Sequence, residues 1–65
     1  MNQYTIYALD NDDYELRTND DYSNLKTAIK QAKEYLQDDE LIAAELNKIE
    51  VRNQDNEVEW DYFVI

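Results

Sequence analysis

The sequence predicts an α+β fold: a small two-layer ββαββ domain, with one helix packed on one face of a four-stranded antiparallel sheet. Three observations support this fold class. Segments near both ends alternate apolar and polar residues as strands do, a central segment repeats apolar residues at helical spacing, and 43% of the residues are apolar. We expect residues 1–65 to form a single domain, because 65 residues are too few for two hydrophobic cores.

The first two strands are expected to form a hairpin. Residues 3–9 alternate in a β-rich pattern and residues 14–18 alternate again, with a turn at Asn11-Asp12 between them. The chain contains neither glycine nor proline. Its turns must therefore rely on Asn and Asp, which tolerate the left-handed backbone conformation.

A helix is predicted over residues 23–37. Apolar residues recur there at helical spacing, namely Tyr22, Leu25, Ile29, Ala32 and Leu36. Ser23 is the only serine and stands at the start of this segment. Because the chain has no histidine to activate a hydroxyl, we expect Ser23 to cap the helix rather than to act as a nucleophile.

Residues 41–52 admit two interpretations. Residues 44–46 and 49–51 alternate with one phase slip, which indicates a strand with a bulge. Strong helix formers are concentrated in residues 40–46, which indicates instead a second short helix at about 39–47. The sequence favours the strand. After a turn at residues 53–56, residues 57–65 alternate cleanly and are predicted to form the last strand.

One helix covers one face of a sheet, so alternation assigns each strand residue to a covered or an open face. The residues expected on the covered face, in the core, are Tyr4, Ile6, Ala8, Tyr14, Leu16, Val58, Trp60, Tyr62 and Val64. Those expected on the open face are Thr5, Tyr7, Glu15, Arg17, Glu57, Glu59, Asp61, Phe63 and Ile65.

The charge and composition of the chain limit the classes of function that it can have. There are 16 Asp and Glu against 6 Lys and Arg, a formal net charge of −10, with no His and no Cys. Thiol and imidazole chemistry are excluded, and we expect a non-enzymatic protein without cofactor. Direct binding to nucleic acid or to an anionic membrane is disfavoured, because both begin with Lys and Arg neutralising phosphates. The expected partner is a basic protein surface.

The location of the protein is expected to be cytoplasmic. The N-terminal residues lack the basic and apolar regions of a signal peptide. No run approaches the ~20 apolar residues that cross a bilayer. We therefore expect a soluble protein that does not enter a membrane.

The turn after the first strand carries the densest set of oxygen ligands. It does not match an EF-hand, because with Asp10 at the first position Glu15 falls where glycine is needed. Solvated turn carboxylates are the expected interpretation. Weak calcium binding by Asp10, Asp12 and Asp13 is left open.

A basic stripe runs along the predicted helix, where Lys26, Lys30 and Lys33 fall at helical spacing. We expect these lysines to relieve repulsion within an acidic molecule. The alternative is a clamp for an acidic partner.

The open sheet face is the candidate site. Carboxylates two residues apart on a strand lie ~6.7 Å apart on one side, so they form a row. The residues expected to bind a partner are the carboxylates of Glu15, Glu50, Glu57, Glu59 and Asp61, with Tyr7 and Phe63 as apolar anchors. Arg17, Lys48 and Arg52 are expected to share this face and to interrupt the row.

The row predicts an acidic protein-interaction module, and as its specific form a nucleic-acid-mimicking inhibitor of a basic nucleic-acid-binding protein. In size and charge the chain resembles small, acidic, Cys-free proteins of phages and other mobile elements. Several of those proteins block nucleic-acid-binding enzymes, and the resemblance implies such a role here.

The alternative is a small structural or homodimerisation domain without mimicry. Strands one and four carry apolar residues on both faces. A strand of this kind usually has another layer packed against each face. A homodimer would bury Tyr7, Leu9, Phe63 and Ile65.

Overall fold

A computed structural model describes residues 3–64, which form four strands and two helices. In chain order these are β1 (Tyr4–Leu9), β2 (Glu15–Tyr22), α1 (Leu25–Tyr35), α2 (Asp39–Ala43), β3 (Lys48–Arg52) and β4 (Val58–Phe63). The strands form one antiparallel sheet of order β2-β1-β3-β4, and α1 packs on one face across β1, β2 and β3. The predicted α+β fold is confirmed, with α2 added before β3.

The β1–β2 hairpin turns at Asn11 and Asp12, as predicted. An Asp10 carboxylate oxygen accepts the backbone N–H groups of Asp12 and Tyr14 at 2.8 and 2.9 Å. Asp13 adopts a left-handed conformation with φ of 61°, which an Asp tolerates better than most residues. Aspartate side chains thus perform the turn chemistry that glycine would otherwise supply.

Strand β2 is longer than predicted and ends at Tyr22. Its register against β1 shifts twice, between Tyr4 and Ile6 and between Ala8 and Leu9. Each shift adds a residue that breaks the alternation of faces. The polar residues Asn19, Asp20 and Asp21, which precede the predicted helix, therefore belong to the end of β2.

The second register shift places Arg17 on the helix side of the sheet, because Arg17 lies opposite the buried Ala8. The prediction that Arg17 lies on the open face is therefore wrong. Its guanidinium Nη1 lies 2.7 Å from the Asp38 carboxylate and its Cζ lies 5.2 Å from the centre of the Tyr35 ring. The hydrogen bond that Arg17 donates to Asp38 raises the pKa of Arg17. The contacts with Asp38 and Tyr35 hold this cation against the helix layer.

The core assignment of Tyr14 is also wrong. Tyr14 precedes β2 and its side chain is 68% exposed. Leu16 packs against the buried cluster, as predicted. The difference arises because the turn ends one residue later than the alternation suggested.

Helix α1 is capped by Asn24 and not by Ser23, so the predicted role of Ser23 is wrong. The Asn24 side-chain oxygen accepts the Thr27 N–H at 3.2 Å. The buried line of the helix consists of Ala28, Ala32 and Tyr35. The two alanines have short side chains, so the helix axis can approach the sheet closely.

The segment before β3 resolves the ambiguity of residues 41–52. It forms the short helix α2, so the favoured strand is wrong for its first half and the alternative helix is correct over Asp39–Ala43. Asp38 caps α2 by accepting the N–H groups of Glu40 and Leu41 at 2.9 and 3.3 Å.

The end of α2 forms a Schellman arrangement. The Leu46 N–H donates to Leu41 O at 3.0 Å and the Glu45 N–H donates to Ile42 O at 3.1 Å. Leu41 and Leu46 are both buried, so the apolar contact that accompanies this motif lies in the core. Glu45 occupies the position that glycine usually takes, with φ of 67°.

The core lies between α1 and the two central strands. Its fully or nearly fully buried members are Ile6, Ala8, Ala28, Ala32, Tyr35, Leu41, Leu46, Ile49 and Val51. Strand β4 lies beyond the cover of α1, so only Trp60 among its residues packs against this cluster. The expected burial of Val58, Tyr62 and Val64 is wrong, because all three remain exposed.

No helix among residues 3–64 is long and apolar enough to cross a membrane.

Candidate functional site

The sheet face opposite α1, here called the outer face, collects the predicted site. Strand register brings its members side by side: Tyr7 lies opposite Glu50, Leu9 opposite Lys48, Glu50 opposite Asp61, and Lys48 opposite Phe63. Alternation along β3 sends Lys48, Glu50 and Arg52 to this face while Ile49 and Val51 enter the core.

Glu50 is the buried centre of the outer face. Its carboxylate accepts the Arg52 Nε–H at 2.9 Å and lies 3.0 Å from Lys48 Nζ. Burial alone would raise the pKa of Glu50, but hydrogen bonds from Arg52 and Lys48 outweigh it and hold the pKa below its ordinary value. Glu50 is therefore an anion whose charge is satisfied inside the protein.

The two cations beside Glu50 also cover the two predicted aromatic anchors. Arg52 lies 4.4 Å from the centre of the Tyr7 ring, and Lys48 Nζ lies 5.2 Å from that of Phe63. The hydrogen bond that Lys48 donates to Glu50 raises the pKa of Lys48, although desolvation acts in the opposite direction. Lys48 and Arg52 do interrupt the acidic row, as expected.

An open depression of about 310 Å³ lies on this face, lined by Tyr7, Leu9, Asp13, Glu15, Lys48, Glu50 and Arg52. It brings together Tyr7, Glu15 and Glu50 of the predicted site. Its lining combines three carboxylates with two cations that Glu50 already pairs. The arrangement favours recognition of a polar surface.

The remaining predicted carboxylates form an acidic border along β4, defined as Glu57, Glu59 and Asp61. The Asn53 side-chain amide donates to Glu57 Oε1 at 3.2 Å and to Glu59 Oε2 at 2.7 Å. A register shift where Arg52 lies opposite Val58 breaks the even spacing of the row. Because Arg52 points to the outer face, the shift places Val58 on that face, and the prediction that alternation brings Glu57 there is wrong. All three border residues are exposed.

Burial separates the predicted residues into two groups. Glu50 presents almost no surface, whereas Glu15 and the acidic border are exposed, with Phe63 on the same strand as the border. Sequence reasoning missed Asn53, whose amide holds two border carboxylates together. Its place at the start of the predicted turn of residues 53–56 is the signal that could have identified it.

Of the turn acids Asp10, Asp12 and Asp13, Asp10 has a structural role in the hairpin, since one of its carboxylate oxygens already accepts two backbone N–H groups. Across residues 3–64, no three or more Asp and Glu side chains are grouped as metal ligands.

No protein-family model, no curated protein and no solved structure matches this chain. Function is therefore inferred from the outer face itself.

Proposed function

We propose that this protein is a non-enzymatic acidic interaction module whose outer face binds a basic protein surface. The observation that carries the proposal is the acidic border. Glu57, Glu59 and Asp61 are exposed at the β4 end of the sheet, beyond the cover of α1, and no Lys or Arg within residues 3–64 forms an ion pair with them.

The internal ion pairs explain why no neighbouring cation pairs with the carboxylates of the acidic border. Lys48 and Arg52 are engaged by Glu50, and Arg17 is held on the other face by Asp38. The nearest cations are therefore committed elsewhere. With a net charge of −10, long-range attraction would speed the encounter with a basic target.

The specific form of the proposal is a cytoplasmic inhibitor that occupies a phosphate-binding groove of a nucleic-acid-binding protein. The three border carboxylates stay close together in sequence at the start of β4 and along it, although the register shift at Val58 removes their regular spacing. The exposed ring of Phe63 supplies an apolar contact at the same edge. The proposal includes no cofactor and no direct contact with nucleic acid or membrane.

The test is a binding experiment with charge-neutral variants. The triple variant Glu57→Gln, Glu59→Gln, Asp61→Asn is compared with the parent for binding to nucleic-acid-binding proteins retained from lysate at low salt. We expect the parent to release them at high salt and to displace nucleic acid from them. We expect the triple variant to lose about tenfold or more in affinity, because adjacent interfacial charges each contribute on the order of 1 kcal/mol or more.

The matched control is Asp20→Asn, Asp21→Asn, Glu34→Gln, which removes three exposed charges away from the border. This variant should bind as the parent does. Equal loss in both triples would show that only net charge matters, and unchanged binding in the border triple would refute the proposed site.

The second candidate function is a self-associating structural domain without mimicry. It is favoured by the exposure of Phe63, whose side chain is 55% accessible. Leu9 is already buried, so it has little surface to contribute. Ile65 lies outside the described residues.

A further inference from the structure

The free edge of β4 carries backbone groups that no strand among residues 3–64 pairs. The Val64 N–H donates to Asn47 O at 2.8 Å. By the alternation of an antiparallel ladder, Tyr62 and Trp60 also direct their backbone groups to β3, while Asp61 and Phe63 direct theirs outwards.

Apolar side chains are concentrated at this edge. Six large apolar side chains are exposed in the described part of the chain, and four of them belong to β4 or follow it directly: Val58, Tyr62, Phe63 and Val64. Tyr62 stacks on Trp60 with ring centres 6.3 Å apart and planes 11° apart. An edge of this kind is typical of a surface that pairs with another strand.

The opposite edge of the sheet differs. Strand β2 has register shifts near both ends and exposes Thr18, Asp20 and Asp21, which are devices that prevent pairing between edges. The register shift of β4 affects only its start, at Val58. Residues 60–64 therefore form a regular edge, with Asp61 as their only charge.

We propose that β4 pairs antiparallel with β4 of a second copy and joins the two sheets into one of eight strands. In the proposed register the outward backbone groups of Asp61 exchange hydrogen bonds with those of Phe63 in the other copy, which places the two-fold axis at Tyr62. In this register Tyr62 faces its own counterpart and Trp60 faces Val64. This pairing specifies how the self-associating domain, the second candidate function, would form its dimer. It does not depend on the existence of a basic partner.

The same register is complementary in charge. It sets each Asp61 opposite Phe63 of the other copy, and that Phe63 ring carries Lys48 5.2 Å from its centre. The two Asp61 carboxylates do not meet, whereas an axis at Asp61 would place them directly opposite each other. Repulsion between the remaining acids is screened over ~8 Å at physiological ionic strength.

Sedimentation of the parent protein tests self-association. We expect a mass near twice 7.8 kDa that dissociates on dilution. A mass of 7.8 kDa at every concentration up to about 1 mM, the range of a binding free energy near 4 kcal/mol, would overturn the proposal.

Disulfide trapping tests the register, since the chain has no native cysteine. Facing residues that do not exchange hydrogen bonds have Cα atoms about 4.5 Å apart, within the range of a disulfide. We therefore expect Tyr62→Cys to form a linked dimer rapidly under mild oxidation. Asp61→Cys, whose counterpart lies two residues along the strand, and Tyr14→Cys, on the exposed turn, should link at least tenfold more slowly. Equal rates in all three variants would overturn the register even if the parent were dimeric.

A charge reversal gives an independent test. Asp61→Lys lowers the net negative charge but sets a lysine close to Lys48 of the other copy. We therefore expect the dissociation constant of the dimer to be at least tenfold higher than in the parent. Asp20→Lys makes the same charge change on β2 and should leave the dimer at least as stable. Strengthening by Asp61→Lys would contradict the proposed pairing.

Discussion

Glu50 shows how a single residue sets the charge of the outer face. It is the only buried charged side chain within residues 3–64, and its partners Lys48 and Arg52 are themselves largely covered. Removing one member of a buried pair leaves an uncompensated charge. The three side chains therefore act as one unit, and the aromatic rings of Tyr7 and Phe63 lie against its two cations.

The first prediction concerns Glu50→Gln. We expect a loss of about 2 kcal/mol in the free energy of unfolding at pH 7, because two partly buried cations lose their anion. The folded-state pKa of Glu50 is lowered, so its contribution is complete above its unfolded pKa and disappears as pH falls through the folded pKa. Urea unfolding of parent and variant across pH 2 to 7 should give free energies of unfolding that converge in acid.

The control for this prediction is Glu59→Gln, an exposed carboxylate of the acidic border. Its effect on stability should stay within about 0.5 kcal/mol at pH 7. A difference between Glu50→Gln and the parent that persists unchanged below pH 3 would point to lost packing rather than lost charge.

Among the elements, α2 depends on a residue in an unfavourable conformation. Glu45 ends the helix with φ of 67°, where a side chain with a Cβ is disfavoured by about 1 to 2 kcal/mol. The buried Leu41 and Leu46 on either side of the turn hold it in place.

The second prediction is that Glu45→Gly stabilises the protein. The gain should be about 0.5 to 1 kcal/mol, because relief of the left-handed conformation exceeds the added flexibility of the unfolded chain. Thermal unfolding measures the change. Asn56→Gly is the comparison, since Asn56 also has a positive φ of 65° but tolerates it and accepts the Arg52 Nη1–H at 3.1 Å, so this variant should gain less stability or lose some. Destabilisation by Glu45→Gly would show that the Glu45 side chain itself contributes.

Periodicity was sufficient to predict that the hairpin, α1 and β4 exist and to predict the fold class, because most residues of each element follow one pattern. It could not locate the end of β2, since two register shifts remove the alternation there. It also favoured a strand before β3, because no glycine marks the end of α2 and Glu45 stands in its place. For the site, alternation assigned Tyr7 and Glu50 to the correct face. How deeply a side chain on that face is buried depends on the side chains of neighbouring strands, so the burial of Glu50 could not be predicted.

The whole molecule has an uneven distribution of charge. Of its 6 basic residues, Arg17, Lys48 and Arg52 form ion pairs, whereas Lys26, Lys30 and Lys33 line an open groove on α1. Most of the 16 acidic residues therefore repel one another across a small surface. Such repulsion destabilises the compact state and is screened by salt.

The third prediction is that salt stabilises the fold. Raising NaCl from low concentration to about 0.5 M should increase Tm by roughly 5 °C, equivalent to about 1 kcal/mol for a domain of this size. Differential scanning fluorimetry at pH 7 provides the measurement. CaCl₂ and MgCl₂ at equal ionic strength should have equal effects, and a selective gain with calcium would reveal a specific site at the β1–β2 turn.

The order β2-β1-β3-β4 has a consequence for how the chain folds during synthesis. The two hairpins are local in sequence, but the pair at the centre of the sheet joins β1 to β3, which lie near opposite ends of the chain. Closing such a contact requires ordering the long segment between them, which slows folding relative to a helical bundle. On the ribosome, β1 therefore has one unsatisfied edge until residues 48–52 emerge, and the core, which includes Ile49 and Val51, can close only after that.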